Sequence, residues 1–261
     1  MLPIQKFINK FENLEFANDF LREKFGIRIT REPVFSSRMD STPLTTFYLY
    51  NSVRSVPNSK TIVNDAHNLI LDDKTELVSI GMPHIPELKE ECSDVLNWEE
   101  AWAEEKIEGI PITAYEYRGS WYLQTTDSPK ARNVIPDKNL TYHTAVCHLL
   151  ERHFNDDSID TVLYHFNKNY FYHMIYNSEN YSDPSMEFLT LVSATEKHTL
   201  ETVNDSKLTI LAAEVDLNLP AFSIVGSFDD LVYFLKHTNN GTVIVKDNTS
   251  MYKVTEALYA N

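Results

Sequence analysis

Glu105-Lys106-Ile107-Glu108-Gly109 opens the segment that decides this fold. It continues as Ile110-Pro111-Ile112-Thr113-Ala114-Tyr115, and then as Ser120-Trp121-Tyr122-Leu123-Gln124-Thr125-Thr126. By residue type this is a Lys-x-Glu-Gly turn, a strand, a tight Arg118-Gly119 turn and a second strand ending in Thr-Thr. A lysine amine is nucleophilic only when deprotonated, a form favoured by desolvation or a neighbouring positive charge. A loop-to-strand junction in apolar sequence offers the desolvation. The plain alternative is a solvated lysine ahead of a turn, because Lys-x-Glu-Gly is a short and common string. The rest of the chain bears on that choice.

At 261 residues the chain suits one large domain, or one domain with a small extension. Six glycines are few, and neither G-x-x-x-x-G-K-[ST] nor G-x-G-x-x-G occurs. G-x-S-x-G and H-E-x-x-H are absent as well, so common hydrolase chemistries have no motif support. Cys92 and Cys147 lie far apart and make no C-x-x-C. That pattern indicates neither a disulfide framework nor a zinc ribbon, and it fits a reducing cytoplasm. His143 and Cys147 share one helix face with His148 and His153 nearby, but no second ligand pair follows the spacing of a zinc site. Residues 1–20 mix charged and apolar side chains as an amphipathic helix does, unlike a signal peptide, and no run is long enough to span a membrane. The formal net charge of −15 opposes broad, non-specific nucleic-acid binding, which rests on neutralising phosphates. A local basic groove is still compatible with it, and solubility is its simplest effect.

No internal repeat, low-complexity tract or long Pro/Ser linker divides the chain. Residues 1–40 read as a helical N-terminal extension, with a helix over Phe7–Phe25 that stops at Gly26. Strands are expected over Thr45–Asn51, Asn68–Leu71 and Glu76–Ile80. The acidic stretch Glu87–Glu105 reads as a helical connection. Ile110–Tyr117 and Trp121–Thr125 form a hairpin, and Thr141–His153 a helix. Thr161–Phe166, Tyr170–Tyr176 and Glu187–Ala194 read as strands. Lys207–Val215 is apolar but ambiguous, Asp229–Lys236 is a short helix, and Thr242–Val245 with Met251–Thr255 closes the chain as a hairpin. Many hairpins mixed with helices mean an α+β fold with mainly antiparallel sheets and flanking helices.

In this order the elements resemble the covalent nucleotidyltransferase domain of ATP-dependent RNA ligases, most nearly the phage tRNA-repair type. The resemblance covers roughly residues 40–259. Lys106-Ile107-Glu108-Gly109 fits the nucleophile motif of that family, and Trp121–Ser128 stands where it has a strand followed by Ser/Thr-Arg-Gly. Tyr164-His165-Phe166 and Tyr172–Tyr176 fit the strand pair carrying its nucleotide-stacking and acidic residues. Asn240-Gly241-Thr242-Val243-Ile244-Val245-Lys246-Asp247 resembles its Glu-Gly-x-Val motif, and Met251–Tyr259 its closing Phe-Lys-x-Lys segment. Upstream, Ala66–Asp72 stands at its Ala/Cys-Arg-Gly-Ile position.

The departures concern charged groups. His67-Asn68 replaces Arg-Gly, a basic residue expected near the triphosphate falls at about His84, and Thr126-Asp127 replaces the second Arg-Gly. His165 and Asn240 each stand where the family has glutamate, and Thr255 replaces its final lysine. Lys106, Glu108, Gly109, Gly241 and Lys253 survive. Neutral Asn is a weaker Mg²⁺ ligand than a carboxylate, and His suits softer metals. Losing one electrostatic contact to a developing charge costs on the order of 10²–10³ in rate.

The resemblance implies that Lys106 takes AMP from ATP with Mg²⁺ (or Mn²⁺) and passes it to an RNA 5′-phosphate. A 3′-hydroxyl then displaces the AMP and seals the strand. It implies a ribose contact for Glu108, a phosphate contact for Lys253, and nucleotide-binding places for Gly109, His165, Asn240 and Gly241. No protein-held metal site is expected from these residues. The chain is expected to lack a separate C-terminal nucleic-acid-binding domain, so it is a minimal enzyme or relies on a protein partner for RNA recognition. The resemblance leans toward a phage or virus, with the host cytoplasm as the place of action. Two other readings stay open: a ligase-derived protein that binds nucleotide, RNA or a protein without sealing, and a nucleotidyltransferase acting on a protein or small molecule.

Overall fold

A computed structural model describes residues 1–35, 41–52, 60–83, 85–88, 95–136, 138–154, 162–178, 187–238, 241–247 and 250–255. It is an α+β structure of three antiparallel four-stranded sheets with helices outside them. The first sheet runs in order through β1 (Ile27–Val34), β2 (Thr45–Ser52), β3 (Leu69–Leu71) and β4 (Leu77–Ile80). Helices α1 (Pro3–Ile8) and α2 (Leu14–Phe25) cover one of its faces with Ile4, Ile8, Ala17 and Leu21, meeting Tyr48, Tyr50 and Leu69. The alternation of β2 sends Phe47 and Leu49 the other way, against Tyr115, Tyr117 and Phe171 of the second sheet.

That second sheet has the order β7-β6-β8-β9, built from β6 (Ile110–Tyr117), β7 (Ser120–Gln124), β8 (Tyr170–Ser178) and β9 (Glu187–Glu196). Its far face buries Ile112, Tyr172, Met174 and Leu191 under α4 (Tyr142–Phe154) and α5 (Asp205–Glu214). Both faces of this sheet are therefore dry, which explains its nearly continuous apolar sequence. The third sheet has the order β10-β5-β11-β12, from β5 (Trp102–Glu105), β10 (Phe222–Ile224), β11 (Thr242–Lys246) and β12 (Met251–Thr255). Ala103, Val243, Val245 and Val254 pack on Leu231 and Leu235 of α6 (Phe228–Lys236). A short helix, α3 (Lys60–Asp65), precedes β3. No helix among the described residues is long and apolar enough to cross a membrane.

Several elements differ from the sequence reading. The helix expected over Phe7–Phe25 is two helices, because Asn13 caps α2 by accepting from Glu15 N–H; the second still ends at Gly26, in the left-handed conformation (φ 64°). Residues 27–34, read within a helical extension, form β1 and pair with β2 along their whole length. The connection read as helical over Glu87–Glu105 holds one 3-10 turn, Trp98–Glu100, and then β5; residues 89–94 lie outside the described residues. Val162–His165 is a 3-10 turn where a strand was expected, since Val162, Leu163 and Phe166 all turn into the core beside α4. The ambiguous apolar run becomes α5, capped by Asn204, whose side chain accepts from Lys207 N–H.

Candidate functional site

The cleft forms where β5 ends and β6 begins. Glu105 N–H donates to the carbonyl of Ala221 at 3.0 Å, and Lys106 N–H to that of Thr242 at 3.3 Å. These bonds hold the lysine between the approach to β10 and the start of β11. The chain then reverses at Gly109, whose φ is +145°. A Cβ there would lie 2.4 Å from the Tyr176 carbonyl oxygen and 2.7 Å from Ile175 Cγ2, so only glycine fits against β8. Asn177 Nδ2 donates to the Glu108 carbonyl at 2.7 Å and ties down the other side of the turn.

The Lys106 side chain, one-third exposed, borders a cavity of about 190 Å³ and donates from Nζ to the Glu108 carboxylate. Met82, Ile107, Pro111, Ile175 and Ile244 supply apolar walls, while Glu104 and Lys246 supply charge. Glu104 and Lys246 pair at 2.5 Å and are both nearly buried. β-pairing accounts for this grouping. Ile244 stands opposite both Glu104 and Lys253, and Lys246 opposite Met251, so these residues share one face of the third sheet. Lys253 lies on that face outside the cavity lining, 3.7 Å from Glu87. Gly241, with φ 56°, turns the chain into β11 beside the Lys106 backbone.

Lys106, Glu108, Gly109 and Gly241 thus come together, and Lys253 joins them on the neighbouring strand. Asn240 and His84 lie outside the described residues. His165 is a correction. It is exposed on its 3-10 turn, where neighbouring Tyr164 donates to the Gly119 carbonyl at 3.3 Å. Gly119 lies beyond the far end of β6 from Gly109, and eight strand residues at about 3.4 Å each separate the ends by roughly 27 Å. Burial of Val162 and Leu163 sets that orientation. Asn68, standing where the resembled family has glycine, adopts φ 56° as glycine would, a conformation asparagine tolerates. Glu104 and Lys246 were not singled out by motif reading. Strand alternation was their signal: Glu104 precedes Lys106 by two residues, and Lys246 follows Ile244 by two.

His143 and Cys147 touch at 3.6 Å on α4, with Cys147 buried. Among the described residues no three His, Cys, Asp or Glu side chains form a group able to hold a metal.

Comparison with solved structures gives the class of fold. An archaeal ATP-dependent RNA ligase, solved in two forms, superposes with TM-scores of 0.59 and 0.60 at 11% and 10% identity, over 99% of this chain and 65% of the ligase. A putative ATP-dependent DNA ligase from Aquifex aeolicus gives 0.57 at 12% identity, over 94% of this chain and 62% of that protein. The chain therefore has the fold of the nucleotidyltransferase region of ATP-dependent ligases, and it spans somewhat less than two thirds of their length. No protein-family profile matches the sequence, and no curated protein does.

Proposed function

We propose that this protein is an RNA-ligase-like nucleotidyltransferase, of the kind most like the tRNA-repair ligases, that forms a lysyl-AMP adduct at Lys106. The observation that carries the reading is the placement of Lys106. Its side chain borders a mainly apolar cavity at the strand-to-turn junction, with Lys246 and Lys253 on the adjoining sheet face.

In this reading the apolar walls take the base of ATP and exclude water from it. Glu108 binds the ribose, which draws its carboxylate away from Nζ; without that partner and beside apolar walls the ammonium gives its proton to water, and the neutral amine is free to attack. The Nζ lone pair forms a bond to the α-phosphorus, the bond to the bridging oxygen breaks, and pyrophosphate leaves. Lys253 holds negative charge on the α-phosphate. AMP then passes to an RNA 5′-phosphate, and a 3′-hydroxyl displaces it as the strand is sealed. Mg²⁺ or Mn²⁺ would lower the repulsion between phosphates, but the described side chains do not assemble a metal site. No step here runs through a protein-held ion. RNA selection is assigned to a protein partner, because few cations flank the cleft among the described residues.

Incubation with α-labelled ATP and a denaturing gel tests the adduct. A labelled band is expected from the native protein and none from Lys106→Ala or Lys106→Arg. A folded native protein that stays unlabelled with either metal would defeat the reading and favour a ligase-derived binding protein.

A further inference from the structure

A second cavity, of about 420 Å³, shares Glu104 and Pro220 with the cavity beside Lys106. Its chemistry is different. Trp102, Leu208, Phe222 and Ile224 give it apolar and aromatic walls, and Glu99, Glu100, Glu104 and Asp205 give it carboxylates. Among the described residues no Lys, Arg or His lines it.

Two features single out this cavity. Phe222 and Ile224 are 69% and 80% exposed, unusual for large apolar residues on a strand. Register places Phe222 opposite Glu104 and Ile224 opposite Trp102, so both stand on the cavity's face of the sheet. Glu104 is only 9% exposed. One of its oxygens pairs with Lys246 at 2.5 Å, and the other is reached by the Trp102 indole N–H at 3.4 Å, a long contact. Asp205, half-buried at the start of α5, has its carboxyl raised above the usual range by burial, which Lys246 partly opposes. A carboxylate in that position gains from a cation placed beside it.

We propose that this cavity binds a small organic cation, an ammonium group carried on an apolar or aromatic body. Glu104 is already paired with Lys246, but Glu99, Glu100 and Asp205 still repel nucleotide phosphates and an RNA backbone, so neither is the occupant. An ammonium gains from carboxylates and from aromatic faces together. Its apolar body would cover Phe222 and Ile224, which otherwise remain in water. The proposal does not require the nucleotide chemistry assigned to Lys106, although the two cavities meet at Glu104 and Pro220.

The test uses tryptamine as probe and indole-3-propionate as an anionic control of the same shape, titrated into the full chain by calorimetry. Tryptamine is expected to bind at least about tenfold more tightly than the control. Asp205→Asn is expected to weaken tryptamine about fivefold or more without lowering the thermal midpoint. Phe222→Ala, at an exposed position, provides a second variant and is expected to weaken both ligands. Equal affinity for the two indoles would overturn the proposal by showing that only apolar surface is read. So would absence of tryptamine binding at about 10 mM, or unchanged affinity in Asp205→Asn. A lysine-bearing peptide that binds where tryptamine does not would also overturn it, in favour of a groove for basic peptides.

Discussion

Gly109 shows how one residue fixes the site. Its φ of +145° and the 2.4 Å approach of a built Cβ to the Tyr176 carbonyl mean that any side chain there pushes the turn off β8. Gly109→Ala should cost about 1–3 kcal/mol from backbone strain alone. At about 2–4 °C per kcal/mol for a chain of this size, thermal denaturation would register it clearly. Labelling of Lys106 should fall as well, since the lysine is anchored by the same turn. An unchanged midpoint would mean that the turn relaxes without loss and that the close approach is not needed. Lys106, Glu108 and Gly109 were legible because adjacent residues in a turn stay adjacent after folding. Gly241 was legible through motif spacing. Glu104 and Lys246 depend on a pairing between strands far apart in sequence, which string matching does not reveal. His165 misled for the opposite reason. Of its motif-like neighbours only Phe166 turns into the core, while Tyr164 and the histidine are both exposed.

Strand β8 carries a histidine that nothing in the proposed chemistry uses. His173 is fully buried between Thr113 of β6 and Thr195 of β9, with Nδ1 3.3 Å and Nε2 2.9 Å from their hydroxyls. Burial lowers its pKa from 6.5 to about 3. The unfolded chain therefore takes up a proton that the folded one refuses. The neutral imidazole's contribution is complete above pH 6.5 and is lost as pH falls toward 3, with a slope approaching about 1.4 kcal/mol per pH unit. Urea denaturation from pH 7 to pH 4 should show this slope, and His173→Gln should remove most of it. Equal pH slopes in the two proteins would assign acid sensitivity to other groups. Elements of this kind, with apolar alternation buried on both faces, were read correctly from sequence, as were the β6–β7 hairpin and α4. The failures have local causes. Acidic residues around Trp98 and Trp102 suggest a helix, yet β5 exists because Ala103 must pack beside Val243 and Val245 in the third sheet. β10, three residues long and exposed at an edge, has no periodic signal to detect.

Charge is the property that belongs to the whole chain. Asp and Glu number 38 against 23 Lys and Arg. Many of the cations are already committed: Arg22 pairs with Asp19, Arg31 with Glu15, Arg28 with Asp127, and Lys197 with Glu116. Near the cleft, among the described residues, Lys106, Lys246 and Lys253 are the cations on the proposed path of phosphate, and each has a carboxylate beside it. Counterion release then limits what RNA can gain. About three neutralised phosphates on a single strand give a slope of about −2 in log K against log salt. Fluorescence anisotropy with a short single-stranded RNA between about 50 and 200 mM salt should return a slope near that value and weak affinity throughout. A slope steeper than about −5 would reveal an extended basic groove and remove the need for a partner. A shallow slope that steepens only when another protein is added would place RNA recognition on that protein. This chain would then supply the nucleotide-charging step, which needs a few well-placed cations at an apolar cleft and no broad basic surface.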